Sequence, residues 1–335
     1  MTRTIHLVAA RGGHLELMQS LMDAFEGYER IWVTEPSARA DSLGADGERV
    51  ELLPPYRRSA IAAARNMRHA RELVARTRPS LVVCSGAGLT VPFCIAARAA
   101  GARIVFTETM ARITNPSMSG RVLSRLASSV FVQWPDMATV YPGATVCRPA
   151  LLEGIGESAA PGGRGTFVAV GTWHQPFDRL LRLIDAAAAE GTLPGPVLVQ
   201  SGACTYEPRH AEARPFMEPA ELEAAIASAE LVVCHAGSGI IAGALRAGRR
   251  PLVLPRVERH GEHVDDHQLQ IAARLSGYGL AVHLHDGIRT SDVAAAAAPL
   301  SPDMLGAPGP VLSAALADEI GRMLEPEPAA LPAAA

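Results

Sequence analysis

The chain has no lysine; all 31 of its basic residues are arginine. Without Gly-Lys-Ser/Thr there is no Walker phosphate loop, and neither a GxGxxG dinucleotide fingerprint nor an HExxH zinc motif occurs. No run of about 18 apolar residues is present, so no membrane-spanning helix is expected. The first ten residues lack the long apolar region of a secretory leader. The five cysteines (84, 94, 147, 204 and 234) form no CxxC pair. Mostly set among apolar residues, they read as buried thiols of a reducing cytosol rather than a disulfide framework. The net charge of -3 supplies no basic field to recruit nucleic acid.

What is present is a chain of 335 residues, 48% hydrophobic and 19% charged. That balance excludes intrinsic disorder, and the length suits two domains. Short apolar runs alternate with helical patterns, which implies βαβ units and parallel sheets. In the first half the predicted strands are Ile5–Ala9, Ile31–Thr34, Leu81–Cys84, Ile104–Phe106 and Val130–Val132. The predicted helices there are His14–Phe25, Ser59–Thr77 and Leu89–Ala100. The Gly-rich, aperiodic stretch 153–165 reads as a linker. The rhythm then resumes, with strands at Phe167–Val170, Val197–Gln200, Leu231–Val233, Pro251–Leu254 and Leu280–Val282. Helices are expected at Phe177–Ala189, Pro219–Ser228, Ile240–Ala247, Asp266–Leu275 and Val311–Met323. The expected domains are therefore 1–152 and 166–325, with a frayed tail at 326–335.

Three constellations carry chemistry. The first, Arg11-Gly12-Gly13-His14-Leu15-Glu16, joins a strand to a helix. In an open α/β sheet ligands sit beyond the carboxyl ends of strands, and paired glycines permit a tight turn and close approach. A neutral His14 there can take a proton from a hydroxyl; the same residues also fit a plain turn. The second, Cys234-His235-Ala236-Gly237-Ser238-Gly239, presents backbone N–H groups and a positive helix end to an anion such as phosphate, or is simply a Gly/Ser turn. The third runs from Arg256 to Gln268 and holds His260, His263 and His267. A metal site, a solvated helix start with Asp265 as N-cap, and a set of sugar-hydroxyl ligands at Asp266, His267 and Gln268 are the readings it admits. Gly171-Thr172 is a further loop at a strand end. Ser85-Gly86-Ala87-Gly88 is another, read as structural. Arg256 can pair with a uronate carboxylate or serve a loop or phosphate. The helix Arg57–Arg78, with seven arginines, can lie on an anionic membrane or face solvent.

Taken in order, these segments resemble a known family. Val170-Gly171-Thr172 with Phe177-Asp178-Arg179-Leu180, His235–Gly239, Pro251–Arg256 and Glu262–Gln268 resemble the donor-binding subunit of the eukaryotic two-subunit dolichyl-linked N-acetylglucosamine transferase and its bacterial exopolysaccharide relatives. Gly12-Gly13-His14-Leu15, Glu108, Asn115-Pro116-Ser117, Gly120 and Gln133-Trp134-Pro135 resemble the partner subunit, so the chain looks like a fusion of the two. The peptidoglycan lipid-linked N-acetylglucosamine transferase is a more distant relative.

The resemblance implies a GT-B fold of two Rossmann-like domains facing a cleft. It implies inverting, metal-independent transfer from a UDP-sugar, a co-substrate rather than a cofactor. His14 is the expected base, with Glu108 the second candidate. Gly12, Gly13, Gly171, Thr172, His235–Gly239, Arg256, His263, Asp266, His267 and Gln268 are the expected substrate ligands. The expected acceptor is a polyprenyl-diphosphate-linked saccharide at the inner face of the plasma membrane. A soluble acceptor, or nucleotide-sugar binding without catalysis, are the alternatives. Relatives carry Glu where this chain has Gly243, a residue that there holds the ribose. The partner subunit's membrane anchor has no counterpart here, so contact is expected to be peripheral, through Arg57–Arg78 or Arg112–Leu126.

Overall fold

Four-residue runs such as Leu81-Val-Val-Cys84 and Leu231-Val-Val-Cys234 are buried at every position. A strand covered on both faces needs this continuous apolar pattern, and helices must supply the cover. The computed structural model, which describes residues 3–55, 60–152, 155, 162–300 and 309–324, builds two such sheets.

The first contains β1 (Thr4–Val8), β2 (Glu29–Thr34), β3 (Arg49–Leu52), β4 (Leu81–Cys84), β5 (Arg103–Thr107), β6 (Ser129–Val132) and β7 (Thr145–Val146), in the order β3-β2-β1-β4-β5-β6-β7. Helices α1 (Gly13–Ser20), α2 (Ala38–Ala45), α3 (Ala60–Thr77), α4 (Thr90–Ala99) and α5 (Met118–Leu126) connect it. The second contains β8 (Thr166–Ala169), β9 (Val197–Gln200), β10 (Glu212–Arg214), β11 (Leu231–Cys234), β12 (Leu252–Val253) and β13 (Val282–His283), ordered β10-β9-β8-β11-β12-β13. Its helices are α6 (Asp178–Ala189), α7 (Pro219–Ser228), α8 (Ser238–Arg246), α9 (His267–Gly277) and α10 (Thr290–Ala296). All named strand pairs are parallel.

In each sheet the strand order reverses beside the first strand. β1 lies between β2 and β4, and β8 between β9 and β11. A crevice opens at such a reversal, outside the carboxyl ends. Pairing of Val8 with Cys84 brings Gly12–His14 beside Ser85, and pairing of Ala169 with Cys234 brings Gly171 beside His235.

Several elements depart from expectation. The predicted helix His14–Phe25 breaks into α1 and a 3₁₀ turn at Met22–Phe25. The short or largely exposed α2, β3, β10 and α10 carry too little apolar pattern to announce themselves. The last helix, α11 (Leu312–Leu324), was assigned to the second domain but packs on the first. Arg148 N–H donates to Pro310 O at 2.9 Å, Arg148 bridges to Val311, and Ser129 bonds Glu319. Leu312, Leu316 and Ile320 are fully buried one turn apart, each burial being worth roughly 1.5–3 kcal/mol. Most of the linker 153–165, Arg57 and Arg58 of the expected basic helix, and the tail 326–335 lie outside the described residues. All five cysteines are free, four of them buried.

Candidate active site

At the β1–α1 junction Gly12 takes φ 78°, a conformation costly for any residue with a Cβ. Gly13 brings α1 against the second domain, where a Cβ on it would stand 2.9 Å from Ser238 Oγ. His14 follows. Its Nδ1 lies 2.7 Å from Ser85 O. A carbonyl only accepts, so Nδ1 carries the proton and Nε2 keeps its lone pair. Burial, reinforced by Arg112 and His267, lowers the His14 pKa to about 4. His14 is thus a neutral, orientationally fixed imidazole at neutral pH.

Glu108, the alternative base, is only 1% exposed at the end of β5. Its carboxylate accepts from Tyr141 Oη at 2.7 Å, Thr109 N at 3.1 Å and Ser117 Oγ at 3.3 Å. Burial raises its pKa against those bonds. These contacts make it a brace for the segment leading into α5, whose N-cap is Ser117.

In the second domain the ring of His235 fills the space between Gly171 and Gly237, where a Cβ on either would collide with it. Its Nδ1 lies 3.3 Å from Ala169 O, and burial followed by Arg256 lowers its pKa to about 3. Gly237 N-caps α8 with no side chain to satisfy the first-turn N–H groups, which suits an anion there. Ala236 is buried and Thr172 exposed. Gly243 faces Ile226 of α7, with Cδ1 3.3 Å from the position of a Cβ.

The last residue of the Arg11–Glu16 constellation, to which the sequence assigned no role, meets this loop. The Glu16 carboxylate, from α1, lies against Gly239 in the space a side chain there would occupy. Burial raises its pKa, while Arg39 and Arg246 pull it down. In sequence Glu16 is one acid in the first turn of a helix; only the approach of the two domains distinguishes it.

The 256–268 loop corrects three expectations. Arg256 does not reach the cleft. It is fully buried, donates to Val170 O, Gln175 O and Glu262 O at 2.8–3.0 Å, and lies over the Phe177 ring. It holds backbone together, which precludes pairing with a sugar carboxylate in this arrangement. Asp265 is not the N-cap of α9; that position is Asp266, which makes no side-chain cap bond there. Gln268 is buried and accepts from Arg256 N at 3.0 Å. Asp266 Oδ1 accepts from Glu258 N at 2.8 Å.

Asp265 instead bonds His267 Nδ1 and, at 3.0 Å, Arg112 of the first domain. These contacts push its pKa well below the carboxylate range. His263 stacks on Trp173 with centroids 5.1 Å apart and meets His267 edge-on. Among the described residues, His263, Asp265 and His267 form the one group whose donor atoms converge as metal ligands would, all within 4.8 Å. The structure therefore gathers His14, Arg112, Asp265, His267 and the α8 N-terminus around the interdomain cleft, with Arg256 and Glu108 in the walls.

Two family models match the chain. Residues 51–148 match "Oligosaccharide biosynthesis protein Alg14 like" and residues 166–286 the "Glycosyltransferase family 28 C-terminal domain". With two opposed parallel-sheet domains, this defines a glycosyltransferase of the GT-B type. More particularly, an Alg14-like half and a family 28 half are joined in one polypeptide, which resembles the two-subunit transferase fused. The mouse UDP-N-acetylglucosamine transferase subunit ALG14 is 27% identical over 168 residues, 41% of this chain and 77% of that one. Its human counterpart is 38% identical over 76 residues, 21% of this chain and only 35% of its own length.

The UDP-N-acetylglucosamine--N-acetylmuramyl-(pentapeptide) pyrophosphoryl-undecaprenol N-acetylglucosamine transferase of Halorhodospira halophila is 28% identical over 346 residues, covering 94% of this chain and 90% of that protein. The crystal structure of Acinetobacter baumannii MurG superposes with a TM-score of 0.62 at 16% identity, covering 96% and 100% of the two chains.

Proposed function

We propose that the chain transfers a sugar from a UDP-sugar to a polyprenyl-diphosphate-linked saccharide in surface polysaccharide synthesis, with inversion and without a metal. The observation that carries this reading is the close approach of the His14 junction to the N-terminus of α8, where a Cβ on Gly13 would stand 2.9 Å from Ser238 Oγ, with His14 held through Nδ1. An acceptor hydroxyl attacks the donor's anomeric carbon as the bond from that carbon to the diphosphate oxygen breaks. His14 Nε2 takes the hydroxyl proton, and the leaving UDP carries the electron pair to the α8 N–H groups. Gly12 and Gly13 let the acceptor approach His14. Gly171, Thr172 and His235–Gly239 cradle UDP. His263, Asp266 and His267 line the donor-sugar side. Of Asp266, His267 and Gln268, the first and last are tied to the backbone of Glu258 and Arg256, while His267 is held by Asp265 and His263, so it is the best placed toward the sugar. Arg112 already neutralises Asp265, which favours a metal-free site.

No helix among the described residues is long and apolar enough to cross a membrane. Contact with the inner membrane face is assigned to α5, where Met118 and Val122 are 82% and 39% exposed, one turn apart, beside exposed Arg121 and Arg125. Ile61, Arg65 and Arg71 of α3 are also exposed, a composition that suits an anionic membrane surface. The test is an assay with labelled UDP-sugars, and acceptors partitioned into butanol. Sugar passing into the lipid phase supports the reading. Transfer to water-soluble acceptors alone would replace it with a tailoring activity, and absence of both transfer and donor hydrolysis would leave a binding protein.

A further inference from the structure

We propose that the groove between α9 and Ile113–Thr114 holds the isoprenoid chain of a lipid diphosphate acceptor next to its head group. The proposal rests on the lipid-linked acceptor reading and adds where the lipid leaves the catalytic cleft. The groove measures about 500 Å³, within the range of small-molecule sites, about 300–1,000 Å³. Ile113 and Thr114 line it from the first domain; Ala273, Gly277 and Tyr278 line it from the second.

Small residues on α9 keep it open. Ala273 and Gly277 are exposed one turn apart, and a Cβ on Gly277 would meet no atom within 4 Å. The polar groups at its edges are engaged elsewhere. Gln270 Oε1 accepts from Thr114 Oγ1 at 3.1 Å. Arg274 pairs with Asp136 at 2.9 Å and lies over Trp134, on which Tyr278 also stacks. An apolar occupant therefore leaves the Thr114–Gln270 and Arg274–Asp136 pairs intact.

Its position selects the occupant. Arg112 bonds Asp265 beside His14, at the catalytic end. The next two residues line the groove, and Met118, which opens α5, stands 82% exposed. Residues 112–118 thus run from the catalytic cleft, along the groove, to the apolar face assigned to the membrane. Arg112 and Arg274, paired with Asp265 and Asp136, flank this path. A chain whose diphosphate lies near Arg112 can pass through the groove and enter the bilayer at α5 without its first isoprenes crossing water.

Gly277→Leu and Ala273→Leu fill the groove from an exposed helix face, and neither residue has a part in the proposed chemistry. Competition against UDP-sugar turnover would be measured with a long-chain polyprenyl diphosphate in detergent and with inorganic diphosphate, with UDP binding and melting temperature followed alongside. Each variant is expected to weaken the lipid diphosphate about tenfold, the loss of roughly two buried methylenes. UDP, inorganic diphosphate and melting temperature should stay at wild-type values. Undiminished lipid diphosphate affinity in both variants overturns the groove, as does an equal loss for all three ligands. Wild-type protein that binds the lipid diphosphate no better than inorganic diphosphate overturns the acceptor reading itself, a result visible before any variant is made.

Discussion

The two strand–loop–helix junctions facing the cleft are built alike and use histidine in opposite ways. At β1–α1 the imidazole of His14 is pinned through Nδ1 and keeps Nε2 available. At β11–α8 the imidazole of His235 turns inward between Gly171 and Gly237 and serves as the loop's filling. Burial lowers both pKa values, to about 4 and about 3, so the shift does not separate base from packing. The lesson is that the free nitrogen's surroundings decide the role. Arg112 stands near His14 and Arg256 near His235, with His267 near both; what distinguishes His235 is its place between Gly171 and Gly237, whose missing side chains make room for its ring.

The contrast is most sharply broken at His14. His14→Ala should lower kcat by about 10²–10⁴-fold, the range for positioned proton transfer, with UDP affinity nearly unchanged. A folded variant with near-normal kcat would reduce His14 to a helix-start residue. The packing role of His235 predicts the next effect. Gly237→Ala drives a Cβ into the His235 ring and should weaken UDP by roughly tenfold, about the free energy of an overpacked contact. Adding His235→Ala to that variant should restore much of the loss; titration calorimetry on the pair decides it, since no recovery would mean the loop is disturbed in another way.

pH separates the two histidines from ordinary ones. His6, His14, His235 and His263 all have folded-state pKa values of about 3–4, against 6.5 unfolded. In that window the unfolded chain binds more protons, so stability falls as pH drops from about 6.5 toward 4 and is fully present above 6.5. Thermal melts across that range test it, and the acid limb of kcat/KM should lie near pH 4 if His14 is the base. A smaller effect belongs to Glu16→Gln. Removing a negative charge from the first turn of α8 should tighten UDP about two- to fivefold, on the scale of charge–helix-end interactions, and equilibrium binding would show it. Smallest of all should be the effect of EDTA on turnover. A complete loss restored by magnesium would turn attention to His263, Asp265 and His267 as ligands.

Much of the framework was legible because buried parallel strands leave an unbroken apolar signature. Leu81–Cys84 and Val197–Gln200 fall where the pattern puts them. The Gly-His and His-Ala-Gly-Ser-Gly junctions were legible because turns at strand ends require small residues. Arg256 was misread because a guanidinium in a polar loop looks like a ligand until its three carbonyl partners, two of them contributed by a distant segment, are seen. The N-cap position of α9 falls to Asp266 and not to Asp265, because adjacent carboxylates are indistinguishable without the turn's direction. Glu16 acquires meaning only through a contact between residues more than two hundred positions apart.

The return of α11 to the first domain bears on how such a chain can be divided. A cut in the 153–165 stretch would separate the two sheets but leave the first sheet's last covering helix on the other fragment. Residues 1–152 alone would expose the seat of Leu312, Leu316 and Ile320 to water. Mixed with a fragment from 166 onward, they would recover that cover, so the halves of this polypeptide carry the means of finding each other as separate chains.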